Sequence, residues 1–174
     1  RQFGFRVFYG DATRLDLLRT AGGATAKVIV VAVDDVTTSL EIVDLVKAHF
    51  PQATVVARAR NVTHLFELRD RGVLLAEREL FESSLRSARS VLEVLGWPAH
   101  EAREAVMEFR VSNRKLLDAT YPLHKGDEAK LIAAAKEGRR QFEEQMAQER
   151  VARRRNQRAA WQPPPVETAP EGGL

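Results

Sequence analysis

Short apolar runs alternate with helical patterns over the first 78 residues of the chain. Residues 28–33 are six successive apolar residues, most of them β-branched. A run of this kind is too continuous for a strand with one exposed face, so it predicts a parallel strand buried on both faces near the middle of a sheet. Shorter runs at 5–9, 54–57 and 73–75 predict three more strands. Helical patterns fill the intervals, and this β-α-β-α-β-α-β order is typical of a parallel sheet with right-handed crossovers.

The helices of this half have recognisable first turns. Thr13 and Asp16 match a capping box ahead of the first helix, and Thr38 and Glu41 match a second one. A third helix is predicted over residues 61–71, where a glycine then breaks the pattern. The local signals therefore predict three helices between the four strands.

From Glu79 onward the apolar positions recur only at helical spacing. One stripe runs through residues 81–95, and another runs through 102–117 in a helix that begins at a proline. Next comes a long polar helix with few apolar anchors, and then a segment rich in Pro, Gly and Glu whose composition predicts disorder. We therefore expect four parts: an α/β unit (1–78), a helical extension (79–126), a basic polar helix (127–161) and a disordered tail (162–174).

Composition and charge exclude several classes of protein. The chain of 174 residues is 44% apolar, which is enough for a core, and it has no cysteine, which excludes a disulfide framework and a thiolate metal site. No apolar run approaches the roughly 18 residues of a membrane span. The net charge of +3 comes from residues 128–158, which hold nine basic and five acidic side chains, whereas the rest holds 18 basic and 19 acidic ones. The folded part therefore lacks the basic face that binds nucleic acid.

Polar residues follow two of the predicted strands. Asp34 and Asp35 come directly after residues 28–33, at the strand end where ligands collect in open α/β sheets. The alternative is that they cap the following helix. Asp11 and Thr13 lie in a turn after the first strand, where they either form turn and cap hydrogen bonds or touch a ligand. No G-x-G-x-x-G sequence follows any of these strands, so they carry no complete phosphate-binding loop.

Two more polar residues stand out near the change from strands to helices. Arg78 lies between two glutamates, which favours either a solvated salt bridge or a ligand contact. Asn113 occupies a position that the apolar stripe reserves for a hydrophobe, so it is a paired core amide, a register-setting contact or a ligand-binding amide. The four histidines are too scattered for a metal site, and no serine has a paired base. We therefore predict neither a metal site nor a catalytic site.

Several segments together resemble a known family. They are 7–14 (VFYGDATR), 33–35 (VDD), 46–51 (VKAHFP), 57–61 (ARARN) with His64, 77–79 (ERE) with Phe81 and Glu82, and Phe109 and Arg110 with Asn113. These segments are similar to the cytoplasmic regulatory domain of Kef-type, glutathione-gated potassium efflux systems, which belongs to the KTN or RCK group. The similarity extends from about Arg1 to Leu117, so it joins the α/β half to the two helices beyond it.

The resemblance implies a function. In that family a Rossmann-like regulatory domain, dimeric and not an enzyme, lies behind a membrane potassium/proton antiporter at the cytoplasmic face of the inner membrane. Reduced glutathione holds the antiporter closed, and glutathione adducts of electrophiles open it. The resemblance implies as partners a second copy of the chain, the antiporter domain and an ancillary flavoprotein subunit, and it implies no nucleic acid.

The resemblance also implies roles for particular residues. Arg78 and Asn113 fall on glutathione-binding positions, and a further basic glutathione ligand is either Lys125 or Lys130. The positions that face an adenine nucleotide, NAD(H) or AMP, are Asp11, Ala12, Thr13 and Asp34.

The family's Gly-rich loop and its first two strands have no counterpart after Arg1. The resemblance therefore implies that these parts, a basic ligand at the first βα turn and the membrane domain precede this residue. We expect a fragment with a partial Rossmann-like parallel sheet, in which residues 5–9 and 28–33 are not neighbours, followed by an α-helical extension.

Two other functions are compatible with the same pattern. An NAD-dependent Rossmann oxidoreductase would need a catalytic acid or base after the sheet, and the helices from Glu79 to Asp118 show none. An RCK domain that gates a potassium channel or a Trk-type transporter would differ in the sequence that precedes Arg1.

Overall fold

The computed structural model describes residues 7–126 and 128–160, apart from the side chains of some residues in the last helix. It contains three strands: β1 (Val28–Val31), β2 (Thr54–Ala59) and β3 (Leu75–Arg78). They form one parallel sheet in the order β1-β2-β3, with Val28 opposite Thr54 and Ala59 opposite Arg78. The predicted α/β class and parallel pairing are confirmed.

Helices connect and follow the strands. Those of the described residues are α1 (Leu15–Thr20), α2 (Val36–His49), α3 (Val62–Asp70), α4 (Phe81–Val94), α5 (Ala99–Thr120) and α6 (Glu128–Ala160). Single 3-10 turns occupy Gly23–Thr25 and Tyr121–Leu123. Within the described ranges, no helix is both long enough and apolar enough to cross a membrane.

The core lies on one face of the sheet, under α2 and α3. Val31 of β1 and Val55, Ala57 and Ala59 of β2 point to this face, because side chains alternate along a strand. They pack against the buried side chains of the two helices and their flanks, namely Leu40, Ile42, Val43, Val46, Phe50, Leu65, Leu68 and Val73. This burial holds the carboxyl ends of the three strands at one edge of the sheet.

The prediction that residues 28–33 are buried on both faces is wrong. Val28 and Val30 are 53% and 66% exposed, and Leu75, which lies in the same row across the sheet as Val30, is 54% exposed. The physical reason is that α2 and α3 both cover the same face, and no described element packs against the other. β1 also lies at an edge of the described sheet rather than near its middle.

Several predicted boundaries also differ. Residues 7–9 form no strand, and residues 5 and 6 lie outside the described ranges. β2 continues to Ala59, and the last strand begins at Leu75 rather than at residue 73, because Val73 turns into the core instead.

The two predicted capping boxes are wrong. Asp35, not Thr38, is the N-cap of α2, and its carboxylate accepts a hydrogen bond of 2.8 Å from the Thr38 N–H. Thr13 donates to Asp11 instead of capping α1. The reason is that α2 already begins at Asp35, and that each threonine hydroxyl donates to the preceding carboxylate, Thr38 to Asp35 and Thr13 to Asp11, both at 2.7 Å.

The three helices after the sheet pack on one another. α4 and α5 form a helical hairpin through a short connection at Gly96 and Pro98, and α6 lies along α5. The Phe142 ring of α6 meets the Phe109 ring edge-on at 5.3 Å. The predicted tail, residues 162–174, lies outside the described ranges.

Candidate functional site

A hydrogen bond joins Arg78 and Asn113, which are 35 residues apart in the sequence. Arg78 is the last residue of β3, and Asn113 lies in the middle of α5. The Arg78 Nη2 donates to the Asn113 Oδ1 because α5 folds back across the end of the strand. The structure therefore brings together the two residues that stood out in the sequence.

Arg78 is a half-buried cation beside an aromatic ring. Its guanidinium carbon lies 3.9 Å from the centroid of the Phe81 ring, which is a favourable cation–π arrangement. Burial lowers the pKa of the Arg78 guanidinium, and the nearby carboxylates of Glu77 and Glu82 offset only part of this decrease. The group still remains charged, and within the described ranges it has no ion-pair partner. A cation in this state attracts a carboxylate.

Arg78 and Asn113 line a cleft of about 150 Å³ between α3, β3, α4 and α5, which we call the Arg78 cleft. Its lining residues are Leu65, Arg69, Ala76, Glu77, Arg78, Phe81, Glu82, Arg110, Asn113, Arg114 and Leu117. Four guanidinium groups face two carboxylates there, so the cleft has a net positive charge.

Two of these four cations are already paired. The Arg110 guanidinium donates two hydrogen bonds to the Glu82 carboxylate, and the one from Nε is 3.0 Å long. Arg69 forms an ion pair of 3.0 Å with Asp118. Arg78 and Arg114 are therefore the cations that remain for an anionic ligand, and the Asn113 amide can pair with a peptide group. Such a set suits a small ligand that carries both carboxylates and peptide bonds.

The turn at Asp11, Ala12 and Thr13 lies apart from this cleft. The Asp11 Oδ1 accepts hydrogen bonds from the Thr13 N–H at 2.9 Å and from the Thr13 hydroxyl at 2.7 Å. These two bonds lower the pKa of the Asp11 carboxyl. Ala12 packs against the same core as Val33, which places the turn on the side of the sheet that α2 covers. Among the described residues, no hydrogen bond or ion pair joins this turn to Asp34 or to Arg78.

Asp34 belongs to the carboxyl edge of the sheet. Arg58 of β2 donates to the Asp34 carboxylate and, at 2.9 Å, to the Ala32 carbonyl, and it also approaches Glu79 at 3.4 Å. Arg58 thus connects the end of β1 with the residue that follows Arg78. Asp34 remains 81% exposed at its side chain, so it is accessible to a ligand on this rim.

Lys125 does not line the Arg78 cleft. Its ammonium forms an ion pair of 2.7 Å with Asp70, which also receives a hydrogen bond from Tyr121 and lies 2.9 Å from the His124 ring. Lys125, with these neighbours, lowers the pKa of Asp70 to about 2. Lys130 lies on α6 and is not among the cleft-lining residues either.

Sequence reasoning missed several members of the site. The helical spacing accounts for Phe81 only as an apolar stripe position, and the Glu82–Arg110 pair spans 28 residues between two different helices. No local pattern connects residues that only the folding of α5 onto β3 brings together. Within the described part, no group of three or more His, Asp and Glu side chains could hold a metal ion.

Comparison with known proteins identifies relatives of both halves. A family model described as the TrkA-N domain matches residues 1–76, and one described as the potassium efflux system KefB C-terminal domain matches residues 83–160. The glutathione-regulated potassium-efflux system protein KefC of Salmonella arizonae is 48% identical over 135 residues, 78% of this chain and 21% of that protein. The KefC of Salmonella paratyphi B is 47% identical over the same shares. The chain thus spans about a fifth of the length of these relatives.

A solved structure is similar over most of the fold. It is the Kef CTD of Shewanella denitrificans in an AMP-bound form. The TM-score is 0.66 at 35% sequence identity, and the match covers 72% of this chain and 77% of that one. The similarity includes both the α/β half and helices beyond it.

Proposed function

The chain belongs to the family of C-terminal KTN domains of Kef-type antiporters, and from that premise we propose that it is a regulatory, non-catalytic domain that gates potassium efflux in a longer membrane protein. The observation that carries this proposal is the Arg78–Asn113 pair at the wall of a positively charged cleft. An electropositive cleft with a guanidinium and an amide whose N–H groups can still donate has the chemistry to bind a peptide with carboxylates.

Glutathione is the proposed regulatory ligand. It is a short peptide with two carboxylates, so Arg78 would hold a carboxylate and Asn113 would pair with a peptide group. Glutathione bound in this way closes the antiporter, and a bulky glutathione adduct opens it. Such gating requires that the two ligands differ in their relative affinity for the closed and open states. Lys125 or Lys130 serves as a further basic ligand, and Lys125 would first have to leave Asp70.

An adenine nucleotide is the second proposed ligand. Asp11, Ala12, Thr13 and Asp34 would face it, and the support is that the similar Kef CTD structure is an AMP-bound form. AMP and NAD(H) both present the adenosine part that this rim would contact. The exposed Asp34 carboxylate suits a ribose hydroxyl, because a carboxylate accepts such hydrogen bonds.

The proposed assembly is a homodimer at the cytoplasmic face of the inner membrane, attached to an antiporter domain and served by an ancillary flavoprotein. The support is the 48% identity to a potassium-efflux protein of which this chain spans about a fifth. Within the chain we propose that residues 1–78 hold the nucleotide, that 79–126 hold glutathione and dimer contacts, and that 127–161 form a separate basic helix.

Substitution at the cleft tests the proposal directly. We expect Arg78→Ala and Asn113→Ala each to raise the glutathione dissociation constant, measured by calorimetry, by about tenfold or more, since each removes a hydrogen-bonding partner worth about 1.4 kcal/mol. AMP affinity measured on the same variants serves as a folding control. Its dissociation constant should remain within twofold of the wild-type value, which corresponds to a change in binding free energy of about 0.4 kcal/mol or less. Arg19→Ala, on the exposed surface of α1, is the matched control. Unchanged glutathione affinity in both cleft variants would refute the assignment.

A further inference from the structure

A second basic cavity lies beside the Arg78 cleft, between α4 and α5. It has a volume of about 550 Å³, and Glu82 and Arg110 belong to the walls of both cavities. We call it the arginine groove and define it by the charged residues of its wall, namely Glu82, Arg86, Arg89, Arg103 and Arg110. The proposed glutathione and nucleotide ligands do not account for this groove.

Helical periodicity explains why these cations face one another. Glu82, Arg86 and Arg89 follow the spacing i, i+4 and i+7, so they lie on one face of α4. Arg103 and Arg110 are two turns apart on one face of α5. Because α4 and α5 pack as a hairpin, the two charged faces border the same groove.

The charges in the groove do not balance. Arg89 pairs with Glu93 at 2.8 Å, and Arg110 pairs with Glu82. The guanidinium groups of Arg86 and Arg103 have no hydrogen bond or ion pair to any residue of the described ranges. Two uncompensated like charges that border one cavity repel each other, and a multivalent anion between them would remove that cost.

We propose that the arginine groove binds a small polyanion with two or more carboxylate or phosphate groups, held by Arg86 and Arg103. The volume suits a small molecule. The groove is also a confined feature between two helices rather than a long basic stripe, which argues against nucleic acid. Arg86 and Arg103 do not line the Arg78 cleft, so substituting them tests this site separately from the proposed glutathione site.

Calorimetric titration of the 174-residue chain with citrate and with pyrophosphate, at constant ionic strength, tests the proposal. We expect saturable binding of at least one of them, and the comparison tells a carboxylate ligand from a phosphate ligand. The double substitution Arg86→Gln with Arg103→Gln should raise the dissociation constant by more than about tenfold, because two charge-assisted contacts are lost. Arg19→Gln is the matched control and should bind as the wild type does.

A gain of affinity makes the test independent of folding defects. Glu82→Gln removes the carboxylate that occupies Arg110, so a third guanidinium becomes free and the polyanion should bind several-fold more tightly. The proposal is overturned if neither anion binds, if the double variant binds as tightly as the wild type, or if Glu82→Gln weakens binding. It is also overturned if an oligonucleotide or an anionic vesicle binds through Arg86 and Arg103 while both small anions do not.

Discussion

At the scale of single residues, the four histidines that sequence spacing left without a role have different environments. His64 is 1% exposed in the first turn of α3, and its Nδ1 accepts a hydrogen bond of 3.2 Å from the Arg60 N–H. The proton of the neutral ring is therefore on Nε2, which is buried and has no partner within the described ranges. His124, by contrast, lies beside Asp70. Both rings are largely buried, and a carboxylate partner, which spacing does not report, distinguishes His124 from His64.

His64 should make the stability of the protein depend on pH near neutrality. Burial lowers its pKa below the ordinary 6.5. The folded state therefore disfavours the protonated ring, and stability falls as pH decreases through 6.5, by no more than about 1.4 kcal/mol per pH unit for one group. Urea unfolding between pH 7.5 and 5.5 measures this slope.

His64→Gln should flatten that slope, because glutamine keeps an acceptor near the Arg60 N–H but does not titrate. The exposed His49, changed to glutamine, is the control and should leave the slope as it is in the wild type. Equal slopes in the wild type and in His64→Gln would contradict the assignment.

At the scale of elements, short polar side chains determine where the helices begin. Asp35 caps α2 through the Thr38 N–H, and Asn61 caps α3 through the His64 N–H at 2.8 Å. Each cap satisfies an N–H group that has no partner inside its own helix. The sequence placed Asn61 correctly at the start of a helix, whereas the capping-box pattern misplaced the cap of α2 by three residues.

Loss of the α3 cap should destabilise the whole core, because Leu65 and Leu68 of that helix are buried in it. We expect Asn61→Ala to lower the free energy of unfolding by about 1 kcal/mol. Asn61→Asp, which retains the acceptor, is the matched control and should retain most of the stability. Chemical denaturation of the three proteins gives both values, and equal losses for alanine and aspartate would show that capping is not the cause.

At the scale of the whole molecule, a few polar contacts join the α/β half to the helices. Arg78 donates a hydrogen bond to Asn113, and Arg69 forms an ion pair with Asp118. The Asp70 carboxylate contacts the side chains of Tyr121, His124 and Lys125. The ring of Tyr121 also packs against that of Phe66, with centroids 5.5 Å apart. These contacts fix the end of α5 against α3, and so they define the shape of the Arg78 cleft.

Asp70 should therefore contribute stability that acid removes. Its pKa is lowered from 3.8 to about 2. A lowered carboxyl pKa means that the contribution is complete above pH 3.8 and is lost as pH falls toward 2. We expect Asp70→Asn to melt at a lower temperature than the wild type at pH 6, with the difference shrinking at pH 3.

The control for Asp70 is Asp44→Asn, which breaks a single pair with Arg71 inside the α/β half. Its effect on the melting temperature should be smaller at pH 6. A difference between Asp70→Asn and the wild type that stays constant from pH 6 to pH 3 would show that the Asp70 charge does not hold the two halves together.

The sequence by itself determined most of the elements, because each depends on neighbours within one turn or one strand. Alternating apolar runs predicted the parallel α/β half, and Gly96 and Pro98 marked the turn of the helical hairpin. The family resemblance also followed from local segments. What a β-branched run could not reveal is whether a second layer covers it, and for this reason the burial of β1 was predicted wrongly.

Only the tertiary structure decided which distant residues meet. Arg78 and Asn113 are 35 residues apart, and Asp70 and His124 are 54 apart. Their contact depends on how α5 and the turn after it pack against the end of β3 and against α3, which is a property of the tertiary fold and not of any local pattern. The same folding places the cations of α4 and α5 along one groove. Local hydrogen bonding and hydrophobic period therefore determined the elements, and the packing of helices on the sheet determined the sites.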